Sequence, residues 1–286
     1  MSAVSTSDDE RPTLAVEELS VSYTGGRDHY AVREVSFTVA AGEILGIVGE
    51  SGSGKSSIAH AVMGLLPATA AVTGRIRLGA LDVVCLREAE LCRIRGSKVG
   101  MIFQDPLAAL NPVFPISTQI IDTIRTHHKG TSRSDARAIA ADAISEMGVP
   151  RDRLDSYPHQ LSGGMRQRVL IASAMVARPH FLIADEPTSD LDTVSQAQIL
   201  RILRRLRAEH RVGVLLISHD MRVIRAVCDR VAVMHGGAVI EHGLTQQVLS
   251  SPIAPYTKEL MRVSTRARSH SGRFVTMPVE YDNWSA

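Results

Sequence analysis

Residues 49–57 read GESGSGKSS and decide the fold class of this chain. They follow an apolar run at residues 44–48 and precede a helical pattern at residues 58–66. A chain that turns through glycines from a strand into a helix collects backbone N–H groups around one point, where the helix dipole adds positive potential. The segment also matches the G-x-x-x-x-G-K-[ST] pattern at every position. It therefore predicts a phosphate-binding loop between a strand and a helix.

The residues of this loop have roles that follow from the chemistry of phosphate. Gly49 and Gly54 frame the turn. Lys55 is placed to reach the β- and γ-phosphates of a nucleotide, and the Ser56 hydroxyl is placed to bind Mg²⁺. Because many unrelated enzymes use such a loop, it predicts a nucleotide and leaves the activity open. The nucleotide contacts expected from the loop are Gly49, Glu50, Ser51, Gly52, Ser53, Gly54, Lys55, Ser56 and Ser57.

Composition limits the classes of function. The 286 residues are 44% apolar, which is enough for one large α/β domain or two smaller ones. A net charge of +2, from 32 basic and 30 acidic residues, gives no general attraction to nucleic acid or anionic lipid. The 3 cysteines include no C-x-x-C pair, which fits a reducing compartment. The start lacks the pattern of a secretory signal and no apolar run reaches the roughly 18 residues of a membrane helix, so we expect a soluble or peripheral protein.

Strand and helix patterns alternate as in an α/β nucleotide-binding fold. β-type alternation at residues 14–23 and 32–39 predicts an antiparallel layer ahead of the loop. Strands at residues 75–78 and 99–103 are then expected to extend the α/β core. After residue 180 strand and helix signals alternate again, as parallel β-α-β units require.

A segment with helical rather than strand patterns interrupts this core. Between residues 105 and 168 the β-branched runs give way to two helical patterns bounded by prolines and glycines, which predicts an inserted helical subdomain. The last residues carry several arginines and little periodicity, which indicates either a flexible tail or a docking segment anchored by Trp284. The predicted plan is a flexible leader at 1–11, a nucleotide-binding core at 12–104 and 169–250, the helical subdomain at 105–168, and a C-terminal element with a tail at 251–286.

Residues 181–186, FLIADE, form an apolar strand that ends in two carboxylates. Ligands bind at the carboxyl ends of strands in parallel sheets, which is also where the phosphate-binding loop begins. Asp185 is therefore placed to hold Mg²⁺ through its water shell. Glu186 is placed to accept a proton from an attacking water.

A second glycine-containing helix start lies at residues 161–168, LSGGMRQR. Ser162, Gly163 and Gly164 open this helix, and its N-terminus also favours a phosphate. The chain therefore has two helix starts that favour a phosphate but only one nucleotide-binding motif. This is explained if the second helix start binds the nucleotide held by another subunit.

These motifs together resemble the ATP-binding cassette of ABC transporters. GESGSGKS, QDP at residues 104–106, LSGGMRQR, ADEPTSDLD at 184–192 and SHD at 218–220 occur in the order of that family. The resemblance implies a P-loop NTPase (RecA-like) α/β core with an antiparallel β layer and an inserted helical subdomain. It also implies two cassettes that close head to tail on two molecules of ATP with Mg²⁺. Each ATP would lie between the loop of one subunit and the LSGG segment of the other, and hydrolysis would reopen the pair.

The resemblance further implies roles for single residues. Tyr23 sits where the family stacks an aromatic ring on adenine, although packing within a strand would explain it equally. Asp192 matches the aspartate of the loop that crosses the dimer interface. Asp190 replaces a small residue, usually alanine, which would alter communication between the sites. The implied catalytic set is Glu186, His219 and Gln104; the metal set is Ser56, Gln104 and Asp185; and the further nucleotide contacts are Tyr23, Asp185, Ser162, Gly163, Gly164, Gln167 and Asp192.

Longer segments are similar to the cassettes of bacterial peptide and nickel importers. They include MIFQDPLAALNPV at residues 101–113, YPHQLSGGMRQRV at 157–169 and SPIAPYTKEL at 251–260, where Ala254 replaces the usual histidine. The resemblance implies an ATPase subunit, peripheral on the cytoplasmic face of the membrane, that energises uptake of peptides or of a small solute such as chelated nickel. Its partners would be a second cassette, identical or paralogous, two permease subunits and, indirectly, a solute-binding protein.

Two other functions of ATP-binding cassettes are alternatives to transport. A cassette that acts in DNA repair or translation would clamp nucleic acid, but such chains usually carry a long coiled-coil insertion or two cassettes in tandem. With one loop and a nearly neutral charge, this chain is not expected to bind nucleic acid. A cassette that binds ATP without turnover is disfavoured because Lys55, Asp185, Glu186 and His219 are all present.

Overall fold

The structure is a computed structural model that describes residues 13–23 and 30–266, without the side chains of residues 264–266. The predicted leader at 1–11 and the tail from residue 267, with Trp284, lie outside the described residues. Within the described part, the strands in chain order are β1 (Thr13–Ser22), β2 (Tyr30–Ala40), β3 (Ile44–Val48), β4 (Ala71–Leu78), β5 (Leu81–Asp82), β6 (Val99–Ile102), β7 (Phe181–Asp185), β8 (Gly213–Ser218), β9 (Arg230–His235) and β10 (Ala238–Leu244).

The helices of the described residues fill the intervals between these strands. They are α1 (Lys55–Val62), α2 (Glu88–Ile94), α3 (Pro106–Ala109), α4 (Ile116–His127), α5 (Arg133–Glu146), α6 (Gly163–Met175), α7 (Thr193–Glu209), α8 (Met221–Val227), α9 (Thr245–Ser250) and α10 (Pro255–Arg266). None of the described helices is long and apolar enough to cross a lipid bilayer.

A central sheet carries the loop that follows β3. Its strand order is β10-β9-β3-β8-β7-β6. All neighbouring pairs from β9 to β6 are parallel, and β10 pairs antiparallel with β9 at one edge. Every residue of β3, β6, β7 and β8 is buried, as expected for parallel strands covered on both faces.

Two hydrophobic clusters cover the two faces of this sheet. Because successive side chains of a strand point to opposite faces, Ile44 and Val48 of β3 join one cluster while Leu45 and Ile47 join the other. The first cluster contains helices α4 to α8 and residues of α10. The second contains β1, β2 and α1. The sheet is therefore enclosed between a helical layer and an antiparallel layer.

The strand predicted at residues 75–78 lies in a different sheet from the one expected. It is the end of β4, and it pairs antiparallel with β1, with Leu14 opposite Leu78 and Val16 opposite Ile76. The four strands of this second sheet are ordered β2-β1-β4-β5. β4 buries Ile76 and Leu78 but exposes most of its other residues, so it has the one-sided pattern of an antiparallel sheet. The prediction that this strand extends the α/β core was wrong.

The helices α4 and α5 pack through matching stripes of residues spaced by four. α4 buries Ile116, Ile120 and Ile124, while α5 offers the smaller stripe Ala136, Ala140 and Ile144. Residues four apart lie on one face of a helix, so the small stripe lets the two helices approach closely. These side chains belong to the same cluster as the helical face of the sheet. The boundaries of a helical subdomain at 105–168 stay a prediction.

Candidate active site

The loop at residues 49–57 is held between two strands that leave no room for side chains at its framing positions. A Cβ atom on Gly49 would lie 2.2 Å from the carbonyl oxygen of Met234 in β9. One on Gly54 would lie 2.0 Å from the carbonyl oxygen of Ala31 in β2, and Gly54 also has a left-handed φ of +97°. Glycine is therefore required at both positions, because any Cβ atom there would clash with the backbone of the neighbouring strand.

The Lys55 side chain is folded against the loop. Its Nζ donates hydrogen bonds to the carbonyl oxygens of Gly49 (2.8 Å) and Glu50 (2.6 Å) and to Ser53 Oγ (3.4 Å). Only 5% of Lys55 is exposed, and this burial lowers the pKa of its ammonium group, while the charges of Glu186, Asp185 and Glu50 oppose that shift. The arrangement holds a cation at the start of α1, where phosphate oxygens would be attracted.

Asp185 and Ser56 form a site that suits a divalent cation. Asp185 ends β7 and is 4% exposed, and its Oδ1 atom is buried without a hydrogen-bond partner. Burial raises the pKa of Asp185, and a hydrogen bond from Ser56 opposes that rise. A buried carboxylate oxygen that lacks a partner fits an oxygen-preferring cation such as Mg²⁺. The donor set of these two side chains therefore fits the predicted metal.

Glu186 and His219 meet at the carboxyl ends of two neighbouring strands. β7 and β8 are parallel with Asp185 opposite Ile217, so the residues that follow them are adjacent. The Glu186 N–H donates to the Ile217 carbonyl (3.0 Å), and Glu186 Oε2 lies 3.0 Å from His219 Nδ1. Glu186 has a φ of +46°, which is uncommon outside glycine and occurs often at functional sites. The pair can place a carboxylate with a fixed orientation at the mouth of the loop.

One cavity of about 740 Å³ brings many of the predicted residues together. Tyr23 lies at its rim, is 37% exposed and donates a hydrogen bond from its hydroxyl to Ser57 Oγ (2.9 Å), which disfavours simple packing within a strand. Ser53 and Asp185 do not line the cavity; they lie beneath it, 5% and 4% exposed. The lining residues are Tyr23, Ala31, Gly49, Glu50, Ser51, Gly52, Gly54, Lys55, Ser56, Ser57, Gln104, Glu186, His219 and Leu260.

Ala31 and Leu260 also line the cavity, and neither was predicted from the sequence. Ala31 belongs to the antiparallel layer, and no motif marks it. For Leu260 there was a signal, because Tyr256 and Leu260 are spaced by four and both are apolar residues of a helix.

The start of α6 lies outside this cavity. Ser162 is exposed and caps the helix, its Oγ accepting a hydrogen bond from the Met165 N–H (3.3 Å). Gly163 follows at the surface, whereas Gly164 is buried, and a Cβ on it would lie 2.5 Å from Ser195 Oγ. A site that uses Ser162 therefore needs a ligand other than the one in the cavity of the same chain, and this role stays a prediction.

Gln167 does not share the exposure of Ser162. Its side chain is 2% exposed and its Nε2 atom is buried without a hydrogen-bond partner. Gln167 is one helical turn beyond Gly163, and that turn faces the interior. A direct contact between Gln167 and a nucleotide would require this side chain to become exposed, and the contact stays a prediction.

Asp192 caps the next helix in the sequence, α7. Its carboxylate accepts hydrogen bonds from the N–H groups of Val194 and Ser195 (2.9 Å each) and from Ser195 Oγ (2.7 Å). The two hydrogen bonds from Ser195 are the main reason why the pKa of Asp192 is lowered. Because Ser195 is also the side chain nearest to Gly164, Asp192 sets the packing between the start of α7 and the start of α6.

Asp190 has a conformational reason to differ from alanine. Its φ is +59°, and it is exposed. Among residues other than glycine, aspartate and asparagine enter this left-handed region most readily.

Replacing Asp190 by Val is expected to lower the free energy of unfolding by about 1–2 kcal/mol, whereas Asp190→Gly should not lower it. Urea unfolding of the two variants checks this, and equal stability would show that the loop relaxes to a negative φ.

Known proteins are similar to this chain over most of its length. A family model described as "ABC transporter" matches residues 32–189. The chain is 40% identical over 268 residues to the oligopeptide transport ATP-binding protein OppD of Salmonella typhimurium, covering 93% of this chain and 80% of that protein. It is 46% identical over 257 residues to the probable D,D-dipeptide transport ATP-binding protein DdpD of Escherichia coli K12, covering 88% of this chain and 78% of that protein.

Solved structures show the same fold. A dimeric, post-hydrolysis state of the ATP-binding cassette MJ0796 bound to ADP and Pi superposes with a TM-score of 0.73 at 27% identity, over 81% of this chain and 98% of that one. CbiO1 of Clostridium perfringens, described as part of the ABC transporter complex cbiONQ, gives a TM-score of 0.72 over 91% of this chain and 96% of that one. With the family match over more than half of its length, the chain belongs to the ABC transporter family, as a nucleotide-binding ATPase cassette with a P-loop α/β fold.

Proposed function

We propose that this cassette energises the uptake of peptides, or of a related small solute such as chelated nickel, through separate permease subunits. The observation that carries the proposal is the 40–46% identity, over more than three quarters of their lengths, to proteins named for oligopeptide and D,D-dipeptide transport. These names favour transport over the nucleic-acid alternative. The chain would sit on the cytoplasmic face of the membrane, bound through its partners.

The chain's own residues supply the groups that ATP hydrolysis needs. Lys55 and the N–H groups of the loop would hold the β- and γ-phosphates. Glu186 would accept the proton of the attacking water. His219 lies 3.0 Å from Glu186, would fix its orientation and would contact the γ-phosphate. Ser56 and Asp185 would hold Mg²⁺ with Gln104 at the cavity wall, and the bound ion would neutralise charge on the phosphates.

A second cassette, identical or paralogous, would complete the site. Ser162 and Gly163 are surface residues outside the cavity of their own chain, which supports a role on the nucleotide of a partner. The relative MJ0796 is dimeric in its ADP and Pi complex. The same closure would bring Asp192 to the interface between the two chains.

Several exposed apolar side chains close to Gln104 in sequence are suited to contact a permease. Leu107, Val113 and Phe114 are 51%, 70% and 48% exposed, and Phe103 is 39% exposed. Exposed apolar side chains that lie near one another in sequence can mark an interaction site. They lie where the chain leaves β6 for α4, so a permease that contacts them would sense the position of Gln104. A solute-binding protein would meet the permease rather than this chain.

Uptake by living cells tests the proposed solute. Cells that lack this chain are expected to lose uptake of a radiolabelled tripeptide and to regain it with the wild-type chain but not with Glu186→Gln. Loss of ⁶³Ni²⁺ uptake with unchanged peptide uptake would assign nickel as the solute instead. Unchanged uptake of both would contradict the proposal.

Replacing Lys55 by Ala is expected to raise the Kd for ATP by about 10- to 100-fold, since charge-assisted hydrogen bonds to phosphate are lost. Titration of a fluorescent ATP analogue measures the change. Lys98→Ala, which removes an exposed lysine just before β6, is the matched control and should bind as the wild type does. A Lys55→Ala variant with unchanged affinity would remove Lys55 from the phosphate site.

A further inference from the structure

The C-terminal helix α10 contacts the phosphate-binding loop although the two are far apart in sequence. The Glu50 N–H donates a hydrogen bond to Tyr256 Oη at 3.2 Å, across 206 residues. Tyr256 is the second residue of α10 and is 5% exposed. One turn later, Leu260 lines the same cavity as Lys55, Glu186 and His219. The helix therefore reaches the site with two side chains on one face.

The hydrogen bond from Glu50 involves a peptide group that is held from both sides. The peptide between Gly49 and Glu50 donates its N–H to Tyr256 and accepts, through the Gly49 carbonyl, a hydrogen bond from Lys55 Nζ (2.8 Å). The N–H and C=O of a trans peptide point in opposite directions from one rigid plane. A rotation of this plane would therefore break both bonds. Tyr256 and Lys55 therefore bind opposite sides of the same peptide group.

The position of the Tyr256 hydroxyl is itself well determined. The ring packs against His235, with centroids 4.2 Å apart and planes inclined by 36°. The start of α10 is tied to β10, because the N–H groups of Ile253 and Ala254 donate to the Glu241 carboxylate at 2.8 and 3.0 Å. Burial raises the pKa of Tyr256 to about 12, so the hydroxyl keeps its proton at neutral pH.

We propose that Tyr256 is a positioning residue for the phosphate-binding loop, so that α10 is a structural part of the nucleotide site. The inference rests on the proposed role of the loop in holding the phosphates of ATP. Without the hydrogen bond to Tyr256, the peptide group of Glu50 could rotate. A smaller fraction of chains would then have a loop conformation that binds ATP. The effect would appear in affinity for ATP rather than in the chemical step.

Kinetics of Tyr256→Phe test the proposal, since phenylalanine keeps the ring on His235 and removes the hydroxyl. The Kd and KM for ATP are expected to rise about threefold to tenfold, the effect of losing one hydrogen bond, with kcat changed by less than about twofold. Tyr157→Phe is the matched control, because Tyr157 also stacks on a histidine, His159, but is exposed and outside the cavity. An unchanged KM, or a melting temperature lowered by more than about 4 °C, would overturn the positioning role.

Amide hydrogen exchange gives a second measurement that does not need ATP. The Glu50 amide should exchange faster in Tyr256→Phe than in the wild type, while amides of β10 should be unchanged. Equal exchange at Glu50 would overturn the inference. A wild-type chain that binds no ATP would instead refute the proposed function, and the exchange at Glu50 would still report on the bond to Tyr256.

Discussion

Replacing Glu186 by Gln is expected to lower the rate of ATP hydrolysis by about 100- to 10,000-fold, the range of general-base catalysis. Glutamine has nearly the same shape but cannot accept the proton of the attacking water. Binding of ATP should be retained, because the loop and Lys55 are unchanged. Steady-state phosphate release and titration with a fluorescent ATP analogue measure the two effects separately. We also expect a dimer with trapped ATP to accumulate in size-exclusion chromatography.

The chain offers a close control for this substitution. Glu146 Oε1 lies 2.9 Å from His210 Nε2, so it also forms a carboxylate–histidine pair, but on the surface and away from the loop. Glu146→Gln should hydrolyse ATP as the wild type does. Normal hydrolysis by Glu186→Gln would exclude Glu186 as the base, and equal losses in both variants would indicate a general effect on folding.

Replacing Ser162 by Arg is expected to lower hydrolysis by about 100-fold without weakening the binding of ATP to a single chain. A bulky cation at the exposed start of α6 would prevent a partner from closing, and such a clash costs several kcal/mol. The cavity with Lys55 lies elsewhere on the chain, so the Kd for ATP should be unchanged. Phosphate release at several protein concentrations and equilibrium binding check the two parts.

Ser132→Arg separates this effect from the loss of a helix cap. Ser132 caps α5 as Ser162 caps α6, its Oγ accepting from the Asp135 N–H (3.1 Å). Both substitutions remove a cap, which costs about 1 kcal/mol of stability. Only Ser162→Arg should lower the rate of hydrolysis by about 100-fold. A Ser162→Arg chain with full activity would rule out a site shared between two subunits.

The fold class and the family could be predicted from the sequence, and both are confirmed. The reason is that the motifs are local in sequence: the loop at residues 49–57 is a short glycine-containing pattern, and the strand before Asp185 is a continuous apolar run. Parallel strands then align their carboxyl ends, so Glu186 and His219 come within 3.0 Å of each other although 33 residues separate them in sequence. Their catalytic roles stay predictions.

The sheet that β4 joins, the orientation of Gln167 and the contact of Tyr256 depend on packing between segments distant in sequence. Such packing cannot be predicted from a single motif. β4 carries too few apolar residues to show in sequence whether it joins the parallel or the antiparallel sheet. Gln167 belongs to a recognised motif, yet the rotation of α6 turns it inward. Tyr256 contacts Glu50 only because α10 packs beside the loop. A hydrogen bond between residues 206 positions apart has no signature in the local sequence.

The helix α6 joins the surface of the chain to the edge of its central sheet. Its 13 residues make a rod about 20 Å long, with Ser162 at one end. Near the other end the Ala174 carbonyl oxygen would lie 2.8 Å from a Cβ at Gly100 in β6, so rod and strand touch without an intervening side chain. Two residues after β6 the chain reaches Gln104 in the cavity. A partner that contacts Ser162 would therefore touch the far end of the helix that packs beside the wall of this chain's own nucleotide pocket.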